Sequence, residues 1–212
     1  MIRLGRFIAI AWLVCAWSSM ASAQVAVGAL KNEQDPFNNI EEMTAELLVI
    51  IAEHKSNFPN NEGAYFDALN NLMTGFVDFD YVAKKVMGKY AKSSPKDQRA
   101  RFEGVFRKGL VETYGRGLMS YGNEEIVLIN KYVLPGKQRR VLAKQEIRSD
   151  AAVYPLNYLM YRKKATGQWN IVNVTLNGID LSKTFASQFL NAARKSSGDI
   201  DYVIDSWMSG SK

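Results

Sequence analysis

The chain has 212 residues, 47% of them hydrophobic, and its 27 lysines and arginines outweigh 21 acids for a formal net charge of +6. That length suits one domain with a substantial core, and a single histidine excludes a multi-histidine metal centre. The charge is too small and too dispersed to argue for nucleic acid, although it suits anionic surfaces such as lipid headgroups.

Residues 1–23 read MIRLGRFIAIAWLVCAWSSMASA, with Arg3 and Arg6, an apolar run over 7–17, then Ala21-Ser22-Ala23. That order is expected of a secretory signal peptide cleaved after Ala23. The run is too short for a bilayer span, and Val14 stands where a lipoprotein would need a small residue before Cys15. Cleavage would leave 189 of the 212 residues and remove the single cysteine. It would also cut the basic residues to 25 (27 less Arg3 and Arg6), for a net charge near +4. Without a disulfide, a thiol nucleophile, a thiolate metal site or a second long apolar segment, the mature chain is expected to be soluble. Residues 24–35 read as a loose leader, 36–208 as one domain and 209–212 as a tail.

Asp35-Pro36 opens a first helix, a cap followed by proline, with Ile40, Met43, Leu47, Ile50 and Ile51 at helical spacing. Pro59-Asn60-Asn61 breaks it, and a second helix over 62–74 turns Tyr65, Phe66, Leu69 and Leu72 inward. In the third, GFVDFDYVAKKVMGKY over 75–90, Phe79, Val82, Ala83, Val86, Met87 and Tyr90 share one face, and Gly88 ends it. Ser94-Pro95-Lys96-Asp97 signals the start of a long fourth helix reaching about Tyr121. The period then falls to two over 125–133, 139–148, 153–163 and 169–176, four strands joined by connections short enough for antiparallel hairpins. Two helices close the chain over 180–194, capped by Asp180, and 199–207. Helices, then a four-stranded meander, then helices make an α+β domain.

The residues offer little for catalysis. His54 lies between Glu53 and Lys55 on the first helix, where a solvated surface position is expected, and there is no Gly-x-Ser-x-Gly turn to partner it. Gly115-Arg116-Gly117 falls inside a helix rather than between a strand and a helix, so it is no phosphate loop. Asp78 and Asp80 straddle Phe79, and one of them caps the third helix more readily than the two form an acid pair. On the fourth helix the stripe Phe102, Val105, Phe106, Gly109, Leu110, Thr113, Tyr114, Gly117, Leu118 and Tyr121 is interrupted by the small residues Gly109, Thr113 and Gly117. Two readings stand: a groove left open for a ligand, or a close approach or bend of the helix against the sheet. The third strand is apolar on both faces, with Tyr154, Leu156, Tyr158 and Met160 on one and Val153, Pro155, Leu159 and Tyr161 largely on the other.

Two stretches resemble the MlaC family, also called the toluene-tolerance auxiliary family of periplasmic phospholipid-binding proteins. GFVDFDYVAKKVMGKY and SPKDQRARFEGVFRKGLVETYGRGLMSY carry its pattern at Phe79, Tyr81, Val86, Met87, Gly88, Tyr90, Phe102, Phe106, Thr113 and Tyr114. GQWNIVNVTLNGIDLSKTFASQF carries it at Trp169, Val174, Gly178, Ile179, Leu181, Gln188 and Phe189. Three departures stand out: Asn173 where the family usually has Asp, Asp180 where it has Ser, and Phe185-Ala186 where Tyr-Arg is common.

The resemblance implies a curved four-stranded antiparallel sheet with about six helices enclosing an apolar cavity. It implies a monomeric, non-enzymatic carrier in the periplasm, without cofactor or metal, holding phospholipid as its transported ligand. Its partners would be an inner-membrane ABC transporter complex and an outer-membrane lipoprotein with a porin. On this reading Val82, Val86, Tyr90, Phe106, Leu110, Tyr114, Tyr154, Leu156, Tyr158, Val174 and Leu176 are expected to touch the tails. Arg139, Arg140, Lys163 and Lys164 are candidates for headgroup or partner contact. Two other readings stay open: a pocket enzyme using carboxylate and tyrosine as acid and base, and an envelope chaperone or adaptor.

Overall fold

The computed structural model describes residues 35–207. The expected signal peptide, almost all of the leader and the C-terminal tail therefore lie outside the described residues. Seven α-helices and five strands follow in the order α1 (Pro36–Lys55), a 3-10 turn (Phe58–Asn60), α2 (Glu62–Phe76), α3 (Phe79–Met87), α4 (Tyr90–Ser93) and α5 (Lys96–Leu118). Then come β1 (Glu125–Leu128), β2 (Arg140–Arg148), β3 (Val153–Arg162), β4 (Trp169–Leu176), β5 (Ile179–Asp180), α6 (Leu181–Lys195) and α7 (Ile200–Ser206).

Caps set the helix starts. The Asp35 carboxylate accepts from the Phe37 N–H at 2.8 Å, and Asp78, Asp180 and Asp199 accept from Tyr81, Lys183 and Tyr202 in the same way. Ser94 departs from expectation. Its hydroxyl is buried without a partner, Pro95 takes the cap position, and Arg99 Nη1 donates to the Ser94 carbonyl.

The third predicted helix is divided. Gly75 and Phe76 belong to α2, because Val77 bridges to Ile171 and the Asp78 N–H donates to the Ile171 carbonyl at 3.0 Å. Gly88, at φ 56°, then turns the chain before the four-residue α4. At the other end of α5 the hydrogen bonds tighten to i,i+3 (Ser120 to Gly117, Tyr121 to Leu118), so the helix stops at Leu118 rather than Tyr121.

All neighbouring strands are antiparallel in the order β1-β2-β3-β4-β5, and the sheet is curved. A bulge beside Leu159 and Met160 shifts the register on β4 from Asn173 to Ile171. The fifth strand is additional to the four expected. Its signal is Asn177-Gly178, whose φ angles of 49° and 80° make the two-residue turn between Leu176 and Ile179. The expected first strand over 125–133 ends at Leu128. Beyond it the Asn130 side chain donates to the Leu142 carbonyl and accepts from the Lys144 N–H, both at 2.7 Å, doing with an amide what a ladder residue would do with its backbone.

The core comes in three parts. Val82, Val86 and Met87 of α3 meet Phe102 and Phe106 of α5, Phe189 of α6 and Trp207 in a helical core, with Phe102 and Phe189 rings 4.8 Å apart. Ion pairs from Arg101 to Asp201 and Asp205, both 2.7 Å, hold α7 on α5. Phe37, Ile40 and Met43 of α1 and Leu72 and Phe76 of α2 cover Val141, Ala143, Met160 and Ile171 on the concave side of the sheet. Tyr65, Leu69 and Val111 form the third part between α2 and α5.

Candidate functional site: an apolar cavity between three cores

The three cores do not merge. Between them lies a cavity of about 280 Å³, walled by Met43 and Leu47 of α1, Leu69 and Met73 of α2, Val77, and Phe79 and Val82 of α3. From α5 come Phe106, Leu110, Val111, Tyr114, Gly115 and Leu118, from the sheet Leu156, Tyr158, Ile171, Asn173, Val174 and Leu176, and from α6 Leu181, Ser182 and Phe185. The volume sits at the lower end of the small-ligand range, and the wall is more apolar than that range requires.

No carboxylate, lysine, arginine or histidine stands in this wall. Its ionisable groups are the phenols of Tyr114 and Tyr158, and burial pushes both above their ordinary range. Asn173 is engaged: its Oδ1 accepts from the Ser182 N–H at 3.2 Å, beside the cap of α6. Among the described residues no group of three or more His, Cys, Asp or Glu could hold a metal ion. The wall can therefore sequester apolar material but offers no acid–base pair.

Of the expected tail contacts, Val82, Phe106, Leu110, Tyr114, Leu156, Tyr158, Val174 and Leu176 stand in the wall. Val86, Tyr90 and Tyr154 do not. Val86, 1% exposed, shares the face of Val82, but only the first turn of α3 reaches the cavity and Val86 packs one turn later into the helical core. Tyr90 follows the turn at Gly88 and packs against that core, its ring 6.1 Å from Phe189. Tyr154 alternates correctly with Leu156 and Tyr158, but it stands next to the β2–β3 hairpin and is 44% exposed.

The α5 stripe also turns. Thr113 and Gly117 are exposed, and nothing would lie within 4 Å of a Cβ at Gly117. The inward glycine is Gly115, where a Cβ would stand 2.8 Å from Leu69 Cδ1, and the Tyr65 hydroxyl donates to its carbonyl at 2.9 Å. The close-approach reading therefore holds at Gly115, while Leu110, Val111, Tyr114 and Leu118 line the cavity. His54 is half-buried, its ring 5.7 Å from Tyr65, rather than solvated.

None of the four expected basic contacts reaches the cavity wall. Arg139 donates to the Arg162 carbonyl at 2.8 Å and stacks on Tyr161, and Arg140 and Lys164 are exposed. Lys163 pairs with Asp78 at 3.0 Å.

Missed altogether were the contributions of α1, α2 and α6, Met43, Leu47, Leu69, Met73, Leu181 and Phe185 among them. Each reads as ordinary core in sequence, and no local signal separates a cavity-lining leucine from a packed one.

Comparison with known proteins places the chain among relatives of one kind. Residues 41–209 match the model of the MlaC protein family. The chain is 33% identical over 175 residues to toluene tolerance protein ttg2D of Pseudomonas putida, covering 82% of this chain and 80% of that one. It is 21% identical over 150 residues, 70% of each chain, to the intermembrane phospholipid transport system binding protein MlaC of Haemophilus influenzae. The fold resembles the crystal structure of a phospholipid-binding protein from Ralstonia solanacearum in complex with a phospholipid. There the TM-score is 0.72 and the identity 16%, over 83% of this chain and 98% of that one.

Proposed function

The chain belongs to the MlaC family, and we propose that it carries phospholipid across the periplasm as a monomer after removal of residues 1–23. The apolar cavity supports this reading best, because it offers apolar side chains on every wall and no chemistry. Each methylene exposed to water costs roughly 0.8 kcal/mol, so a diacyl lipid with about thirty of them faces a barrier on the order of 20 kcal/mol if it crosses water bare. Enclosing the tails removes most of that cost and breaks no bond. The names of the relatives support phospholipid as the ligand. No described helix is long and apolar enough to cross a membrane, which agrees with a carrier that moves between membranes.

On this proposal the protein exchanges lipid with an inner-membrane ABC transporter complex and an outer-membrane lipoprotein associated with a porin, and so helps keep the outer membrane asymmetric. The domain spans 36–208, and the wall residues hold the acyl chains. The enzyme reading finds no carboxylate in the cavity, and the adaptor reading leaves the cavity without a use.

Native mass spectrometry of protein purified without detergent, with extraction of what is bound, tests the proposal. Co-purified phospholipid is expected. Protein that stays lipid-free after incubation with liposomes would overturn it.

A further inference from the structure

A second, polar cleft of about 410 Å³ backs onto the apolar cavity, and Val77 and Phe79 line both. It gathers Thr74 and Gly75 from the end of α2, Asp78 and Asp80 from the start of α3, Glu103 and Arg107 from α5, and Lys163, Gln168 and Asn170 from the β3–β4 hairpin.

Its cations are held in place. Arg107 lies 3.7 Å from Glu103, donates to the Thr74 hydroxyl at 3.3 Å and covers the Phe79 ring at 5.8 Å. Lys163 meets one oxygen of Asp78, whose other oxygen caps α3, and Asp80 is engaged by Lys84 at 2.6 Å. One polar group lacks a partner. Asn170 is only 6% exposed, yet its Oδ1 accepts no hydrogen bond. An acceptor buried in that state is costly and needs a donor.

We propose that this cleft recognises a phosphoethanolamine group, its phosphate taken by Arg107 and Lys163 and its ammonium by Glu103 and the Asn170 Oδ1. A plain anion would meet Asp78, Asp80 and Glu103 as well as the two cations. A quaternary choline has no N–H to give Asn170, whereas a primary ammonium has three. A zwitterion inserted between existing ion pairs leaves the charge of the cleft unchanged. One layer of side chains separates the cleft from the cavity, so the headgroup of a lipid held there is the nearest source. That source rests on the carrier reading; free phosphoethanolamine, the other source, does not.

The test offers the purified full chain vesicles of equal parts deuterated phosphatidylethanolamine, phosphatidylcholine and phosphatidylglycerol, then extracts and counts the protein-bound lipid. Phosphatidylethanolamine is expected to be enriched about ten-fold over phosphatidylcholine, the value of one charge-assisted hydrogen bond. Asn170→Leu, and Arg107→Gln as a variant on the more accessible helix, should return the ratio to that of the vesicles without lowering total uptake. In parallel, the phosphorus NMR signal of free phosphoethanolamine is followed as protein is added. A shift lost in Arg107→Gln, without headgroup enrichment, would support the cleft and make the soluble molecule its source. Equal headgroup ratios with an unmoved signal would overturn the proposal. If no lipid enters at all, the carrier reading fails by itself and the NMR arm alone decides the cleft: a shift supports it, and an unmoved signal overturns it.

Discussion

Two glycines one helical step apart show how finely position decides a residue's role. At Gly115 an added methyl would stand 2.8 Å from Leu69 and 3.2 Å from Phe66, pressing a side chain towards the cavity. Gly115→Ala is expected to cost about 1–3 kcal/mol and to lower lipid uptake. Gly117→Ala meets open space and should stabilise the helix by roughly 0.5–1 kcal/mol. Urea denaturation of the two variants checks both signs; equal effects would refute the assignment of the inward face.

Asn173 and Asp180 form the other informative pair. Burial alone would raise the Asp180 carboxyl, but the Lys183 backbone N–H, the Asn173 side chain and the charges of Lys85 and Lys183 outweigh it and hold it below the usual carboxylate range. A carboxyl depressed in the folded state contributes stability above its unfolded pKa, and that contribution is lost as pH falls through the folded one. The family residues Asp and Ser appear here as Asn173 and Asp180, so a single carboxylate is kept at the site. Asn173→Asp would place two carboxylates together. The Asp180 titration, followed by NMR, should then move to higher pH, and acid destabilisation should begin earlier.

At the scale of elements, α5 does most to build the cavity and does so with a face that sequence reading placed only in part. It crosses from the helical core around Phe102 and Phe106 to α2 at Gly115, exposing Leu110, Val111, Tyr114 and Leu118 to the cavity on the way. Leu110→Trp fills that space. It is expected to cut bound phospholipid per protein at least several-fold while circular dichroism stays native, because the extra volume enters a cavity rather than a packed core. Unchanged loading in a folded variant would remove Leu110 from the site. Val86→Trp makes the contrast: it overpacks the helical core and should destabilise the fold, whatever its effect on loading. Local chemistry made most elements legible. Aspartate caps, proline at the first turn and period-two alternation all act within a few residues. The divided third helix was not legible, because the Val77–Ile171 bridge that divides it joins residues 94 positions apart.

For the whole molecule, a ligand bound only by the folded state adds to stability. At lipid concentrations about a hundred times the dissociation constant the gain is about 2.7 kcal/mol, roughly 5–10 °C in Tm for a domain of this size. Stripping bound lipid should lower Tm by that amount, and liposomes should restore it. A melting temperature indifferent to lipid would count against a cavity built for it.

The sequence alone was enough for the α+β order, the antiparallel meander, the caps at Asp35, Asp78 and Asp180, and the family, since each rests on residue types at short, fixed spacing. Tertiary structure decided that the apolar residues divide into three cores with a space between them, that Val86 packs while Val82 lines, and that Asn170 is buried without a partner. Whether two apolar surfaces meet or stand apart depends on where helices distant in sequence come to rest, and the hydrophobic effect that buries them has no direction.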